Sequence, residues 1–296
     1  MRTFRQLETI AKQLPWITSE LVAPVLDPPA IAFYKRLQAN GCSPDLLVNV
    51  APDHGIIYVL VPKAASTRIR LTLARIIGRR MRSLDARRRR KYRGPYGPRS
   101  MTVGSFFRLA TSSNALRFSF VRNPYARAVS CWADKFFGKP LVAGDHFIDF
   151  YLASRRAIDR KLPAGADRTL SFADFVTFAA AMAERRRDIH IESQDDILSM
   201  PGIKLDFIGK VESFQRDFAF VLHHIGAGDD VQREAAIPVN ESHCNDWPDY
   251  YTPDLADRIY CTYERDFDRF GYPRSIEPRA SVGVKSAAAR QGVFSL

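Results

Sequence analysis

A lysine directly behind an apolar run is a place where anion chemistry can begin, and Pro62-Lys63-Ala64-Ala65-Ser66-Thr67 has that form. Recognition of phosphate at a helix start needs outward backbone N–H groups, small residues that permit close approach, and a cation nearby. Lys63 supplies the cation and can reach a bridging or terminal oxygen. Ala64 and Ala65 leave the backbone accessible, and Ser66 and Thr67 bring hydroxyl donors. The string is not a Walker A loop. GxxxxGK[ST] carries its lysine at the end of a glycine-rich turn, whereas here the lysine comes first and no glycine follows until Gly78. Alone, the string reads equally well as a surface turn entering a helix.

A second loop, Arg122-Asn123-Pro124, changes that balance. Arg122 can make a charge-assisted, bidentate contact to a phosphate, and Ser130, about two helical turns later, can add a hydroxyl. Arg127 either helps them or solvates its helix. Two anion sites, each at the end of a strand, are what a nucleotide phosphorylated at both ends of its ribose requires.

The elements that must position these groups are legible as patterns. Ile56 to Val61 (IIYVLV) is short, apolar and unalternating, as expected of a strand buried on both faces. Ile69, Leu73, Ile76 and Ile77 follow at helical spacing, giving strand, phosphate-sized loop and amphipathic helix in that order. Arg117 to Val121 repeats the strand, and Tyr125, Val129, Trp132, Ala133 and Phe136 the helical face. A helix is expected from Ser171 with Asp174 in a capping-box position, and a strand near Leu205 to Ile208. A helix through Phe214, Phe218, Val221, Leu222 and Ile225 should stop at Gly226, and a last one should open at Thr252-Pro253 and run to about Phe270. Strands alternating with helices predict an α/β fold. The expected class is a P-loop-like three-layer fold with a central, mainly parallel sheet flanked by helices. The domain is placed at 51–275, preceded by a proline-broken, irregular lead-in over 1–50 packed on it, and followed by a mobile tail over 276–296.

VPKAAST, then FVRNPYARAVSCWADKF, DFIGKVESFQRDF and YYTPDLADRIYCTYERDFDRFGY, together resemble the carbohydrate sulfotransferase family that includes chondroitin and dermatan sulfotransferases and their shorter bacterial relatives. The likeness extends from about Ile56 to Tyr272. The first two motifs are specific as a pair; the last two are family-typical but mechanistically less informative. The resemblance implies a transfer of sulfuryl from 3′-phosphoadenosine 5′-phosphosulfate (PAPS) to a hydroxyl, with a glycan or glycoconjugate as the expected acceptor. It also implies that Lys63 and the backbone of Ala64 to Thr67 hold the 5′-phosphosulfate, with Pro62 leading the loop, and that Arg122 and Ser130 hold the 3′-phosphate. This sequence departs from relatives at Ala64-Ala65, where glycine or a bulkier residue is frequent, and at Cys131, where alanine is.

Sulfuryl transfer is an in-line displacement that needs no metal, and charge builds on the departing bridging oxygen, where Lys63 would stabilise it. The acceptor hydroxyl also needs a general base. His190 is the first candidate, because it stands in DIHIESQ, where relatives carry a histidine stretch ending in glutamine, here Gln194. His146, His54 and Glu192 stay open as alternatives.

Composition sets the outer bounds. The 296 residues carry a net charge of +12, which favours anionic ligands without choosing among nucleotide, acidic glycan and nucleic acid. Cys42, Cys131, Cys244 and Cys261 show neither disulfide-framework nor metal-site spacing, and the sequence has no signal-peptide core or membrane-length apolar run, so the expected setting is the cytoplasm. The basic run from Arg79 to Arg99 is read as solvated, as a dock for an acidic acceptor, or as a nonspecific nucleic-acid contact. Two competing functions follow: a phosphotransferase with a degenerate P-loop and Mg²⁺, and an arginine-rich nucleic-acid-binding protein. Loops at 80–115 and 137–170 are the expected seat of acceptor specificity.

Overall fold

The computed structural model describes residues 27–38, 44–78, 97–137, 151, 170–182, 188–236 and 246–276. In chain order these form α1 (Pro28–Gln38), α2 (Pro44–Leu47), β1 (Val48–Ala51), β2 (Ile56–Val59), α3 (Ser66–Ile76), α4 (Val103–Thr111), β3 (Leu116–Val121) and α5 (Pro124–Lys135). There follow α6 (Phe172–Ala181), α7 (Gln194–Leu198), β4 (Phe207–Lys210), α8 (Phe214–His224), α9 (Asp229–Ala236) and α10 (Pro253–Phe270).

The strands lie in the order β1-β2-β3-β4, with β1 antiparallel to β2 and the other pairs parallel. Tyr58 pairs with Phe118, and Phe120 with Gly209. At Gly209 a Cβ would stand 2.5 Å from the Phe120 ring, so glycine there lets that ring lie across β4. β2 is buried along its whole length, as its uninterrupted apolar run predicts. Parallel neighbours bring the C-terminal ends of β2, β3 and β4 to one edge of the sheet, where the Lys63 loop, the Arg122 loop and Glu212 emerge.

One apolar cluster joins the sheet to α1, α3, α4 and α8. A second, built on α5, α6 and α10, packs Tyr125, Trp132, Phe136, Phe175 and Phe267 together. Helix starts carry the caps expected of their sequences: Ser171 accepts from Asp174 N, Asn123 from Tyr125 N and Thr252 from Leu255 N. Among the described residues no helix is long and apolar enough to cross a membrane.

Two sequence expectations need correction. The segment up to residue 50 is not irregular throughout: Pro28 and Pro29 open α1 instead of breaking it, because an N–H at the first helical positions has no partner within the helix to lose, and Val48–Ala51 is the antiparallel edge strand. Ala30, Tyr34 and Leu37 of α1 are fully buried. Within 80–115, α4 is a core helix against α1, with Phe33 packed on Phe106 and Phe107. It leads into the N-terminal end of β3, opposite the candidate site. The run Arg79 to Tyr96, the stretch 138–150 with His146, and 277–296 lie outside the described residues. Arg99, closing the basic run, pairs with Asp45 at 2.9 Å.

The far edge of β3 and β4 is pinned by Arg117 and Asp206. The carboxylate accepts from the Arg117 backbone N–H and guanidinium, both at 2.8 Å, and Asp206 N donates to Arg117 O at 2.7 Å. Partial burial opposes ionisation of Asp206, but the hydrogen bonds from Arg117 outweigh it and hold the carboxyl below its ordinary 3.8. A depressed folded value means stability that is present above the ordinary carboxylate range and lost as pH falls through the folded one. Asp206→Asn is therefore expected to flatten the acid limb of stability against pH, read by urea unfolding between about pH 6 and pH 3. An unaltered limb would show the pair contributes nothing there.

Candidate active site

The Lys63 loop leaves β2 in an unusual backbone path. Lys63 and Ala65 both adopt positive φ, 70° and 55°, which disfavours side-chain-bearing residues by about 1–2 kcal/mol each. The path turns the chain sharply into α3, whose N-cap residue, Ala65, makes no side-chain cap. The first N–H groups of that helix thus meet no capping side chain, and Ser66 and Thr67 stand beside them half-buried and exposed respectively. Pro62 and Ala64 are buried and face inward. The Lys63 ammonium is largely covered and forms an ion pair with Asp134 of α5, itself about half exposed.

The Arg122 loop is held by side chains from three other elements. Gln194, wholly buried, accepts from Arg122 N at 2.9 Å and donates to Arg122 O at 2.8 Å. Glu212, just beyond β4, accepts from Asn123 N at 2.7 Å, and Tyr272 OH donates to its other oxygen at 2.9 Å. Arg122 itself extends toward the first loop, Nη1 lying 3.5 Å from Lys63 O. The two loops are neighbours, and both anion candidates belong to one site.

Arg127 completes the joint. It is buried, and its guanidinium donates to Pro62 O at 3.1 Å, Glu192 O at 2.7 Å and Ile189 O at 3.4 Å. It neither solvates α5 nor reaches outward; it clamps the Lys63 loop to the segment 188–194. On the same face of α5, Ser130 is buried between Arg127 one turn before and Asp134 one turn after, both of which contact the Lys63 loop or its lysine.

His190 sits on that clamped segment, half-buried, with Nδ1 2.6 Å from Asp188 Oδ1. It lines a small cavity with Arg127, Cys131, Phe175 and Tyr263. Burial pushes the Cys131 thiol up to about 11, with Lys63 and then Arg127 drawing it partly back. Cys131 thus shares the cavity of His190 and feels the charge of Lys63. Glu192 is buried, its Oε1 accepting from Ser193 N at 3.0 Å. His54 is not brought to this place: it ends the turn before β2, on the opposite edge of the sheet. His146 lies outside the described residues. Among those described, no cluster of three or more His, Cys, Asp or Glu is placed to hold a metal ion.

Sequence reasoning missed the supports. Asp266, fully buried on α10, accepts from Gln194 N at 3.0 Å and Asp195 N at 2.8 Å. Burial raises its carboxyl, while Arg127 and then the two backbone donors pull it back. Tyr263 OH donates to Ile191 O at 2.8 Å, from a residue whose own φ and ψ break the helix. A signal was available: Asp266 occupies the apolar stripe of Ile259, Tyr263, Phe267 and Phe270, where a carboxylate has to find donors.

The mixed α/β sheet thus brings two cation-bearing loops together at adjacent strand ends. The sulfotransferase family model matches residues 47–273, and the chain belongs to that family. It is 26% identical over 199 residues to carbohydrate sulfotransferase 11 of Danio rerio, covering 62% of this chain and 54% of that one. Carbohydrate sulfotransferase 8 of Mus musculus is 30% identical over 195 residues, 60% of this chain and 43% of its own. Carbohydrate sulfotransferase 14 of Danio rerio is 24% identical over 251 residues, 80% of this chain and 64% of its own. The chain spans about half the length of these relatives, between 43% and 64%. No solved structure matches it.

Proposed function

We propose that the protein is a PAPS-dependent sulfotransferase acting on a hydroxyl of a carbohydrate, with residues 51–275, β1 and α1 forming one P-loop-like catalytic unit. The observation that carries the reading is the Arg122 guanidinium beside the Lys63 carbonyl, with Arg127 tying the Lys63 loop, and Gln194 the Arg122 loop, to one segment. The residues fit the donor. An uncapped helix start and a covered lysine suit a sulfated 5′-phosphate, and Arg122 with Ser130 suits the 3′-phosphate at the next strand end.

In the reaction the acceptor oxygen forms a bond to sulfur as the bond from sulfur to the bridging phosphate oxygen breaks, and that bond's electron pair stays on the phosphate. Lys63 and the loop N–H groups stabilise this oxygen. His190 takes the acceptor proton at Nε2, the ring nitrogen turned away from Asp188. Asp134 holds the Lys63 ammonium until the donor's anionic oxygens take its place.

Arg122→Ala is expected to weaken binding of adenosine 3′,5′-bisphosphate about 10-fold to 100-fold, a loss typical of a charge-assisted contact. Isothermal titration of wild type and variant measures it, with ATP plus Mg²⁺ as the competing ligand. Preference for ATP plus Mg²⁺ would favour a phosphotransferase, and salt-steep oligonucleotide binding independent of Lys63 and Arg122 would favour a nucleic-acid-binding protein.

A further inference from the structure

We infer that Asp188 is the positioning residue for His190, fixing the ring so that Nδ1 carries the proton and Nε2 is left as the acceptor; the catalytic use of that acceptor rests on the function proposed above. One carboxylate oxygen of Asp188 meets both the backbone N–H of His190 at 2.9 Å and its Nδ1 at 2.6 Å. A carboxylate oxygen has only lone pairs to offer, so the facing ring nitrogen has to carry hydrogen. In the neutral ring this leaves the lone pair on Nε2. When Nε2 takes a proton, the imidazolium charge develops beside a carboxylate whose side chain is only 7% exposed, where solvent screens it little.

The residues around the pair make its geometry firm. Asp188 O accepts from Ile191 N and Glu192 N, both at 2.9 Å, so the acid and the histidine sit in one closed turn. Arg127 holds the carbonyls on either side of His190, those of Ile189 and Glu192, and Tyr263 OH holds that of Ile191. Among the described residues, the charged and titratable groups that share the cavity or bond with the ring are Arg127 and Cys131 from α5, Tyr263 from α10, and Asp188 from its own segment, while Glu192 turns its carboxylate to Ser193 N. The carboxylate of Asp188 stands at Nδ1.

The experiment is ¹⁵N chemical-shift measurement on the histidine rings of the full labelled chain above neutral pH, with His190 assigned by its loss in His190→Ala. The neutral ring is expected as the Nδ1-protonated tautomer in wild type and as a mixture in Asp188→Ala. Wild type with the proton on Nε2, or an Asp188→Ala ring unchanged from wild type, overturns the inference, and the first of these results does not depend on the folding of Asp188→Ala. In parallel, Asp188→Ala should lower kcat about tenfold to a hundredfold, part of the contribution of a positioned base, with the KM for PAPS unchanged. An equal loss in both parameters would mark a general structural defect and count against the positioning role. If the tautomer behaves as expected but His190→Ala turns over like wild type, the base assignment fails while the coupling of Asp188 to His190 stands.

Discussion

Lys63→Ala is expected to lower turnover about 10²–10³-fold, the loss seen when one preorganised donor to a developing oxyanion is removed. The reasoning is differential. Charge on the bridging oxygen is small in bound donor and large in the transition state, so an ammonium fixed there acts chiefly on kcat. Fixing it is the task of the backbone: the residue sits at positive φ between a buried proline and a buried alanine, with Arg127 holding the carbonyl just before it. Stability should hardly change, since the partner lost is the half-exposed Asp134. Lys63→Gly separates the two roles of the position. It removes the same ammonium while relieving the left-handed strain, so it should be as inactive as Lys63→Ala and melt no lower. Near-wild-type turnover in either variant would remove Lys63 from the chemistry.

The legible part of the fold was the part written in periodicity. An uninterrupted apolar run gave β2, the short RFSFV segment gave β3, and helical spacing gave α3, α5, α8 and α10, with the caps at Ser171 and Thr252 in place. Edge strand β1 was not legible, because four residues, VNVA, carry too little pattern and their strand character comes from pairing with β2. Helix α1 was hidden by reading its prolines as interior when they are terminal. In the site, the residues proposed to face a ligand were visible because lysine and arginine after a strand suggest anions. Residues that face other protein groups were not. Gln194, Glu212 and Asp266 act through backbone N–H and C=O groups of distant segments, and although the place of Asp266 in an apolar stripe marks it as needing donors, nothing in the sequence says which distant backbone groups these are. The two motifs that carried least mechanism, DFIGKVES and the stretch around ERDF, supply Glu212, Tyr263 and Asp266, the braces of the loops that carried most.

Arg127→Met should be the most destabilising change, at about 3–5 kcal/mol, because it leaves three backbone carbonyls without their charged donor and takes a positive charge from the surroundings of the buried Asp266. Its guanidinium serves the carbonyls of Pro62, Ile189 and Glu192 from a residue only 3% exposed, and its positive charge also favours the ionised form of the buried Asp266. Methionine fills much of the volume, so the loss is polar and not a cavity. Arg127→Lys should recover little, since a single ammonium does not reproduce a planar fork spread over three carbonyls. The decisive measurement is a double-mutant cycle with Asp266→Asn by denaturant unfolding. If the arginine and the aspartate offset one another, the double variant is less destabilised than the sum of the single ones, by about 0.5–3 kcal/mol. Strict additivity would mean that Arg127 works only through the carbonyls, and an unchanged midpoint in Arg127→Met would mean that the clamp joining the Lys63 loop to the histidine segment does not hold the site together.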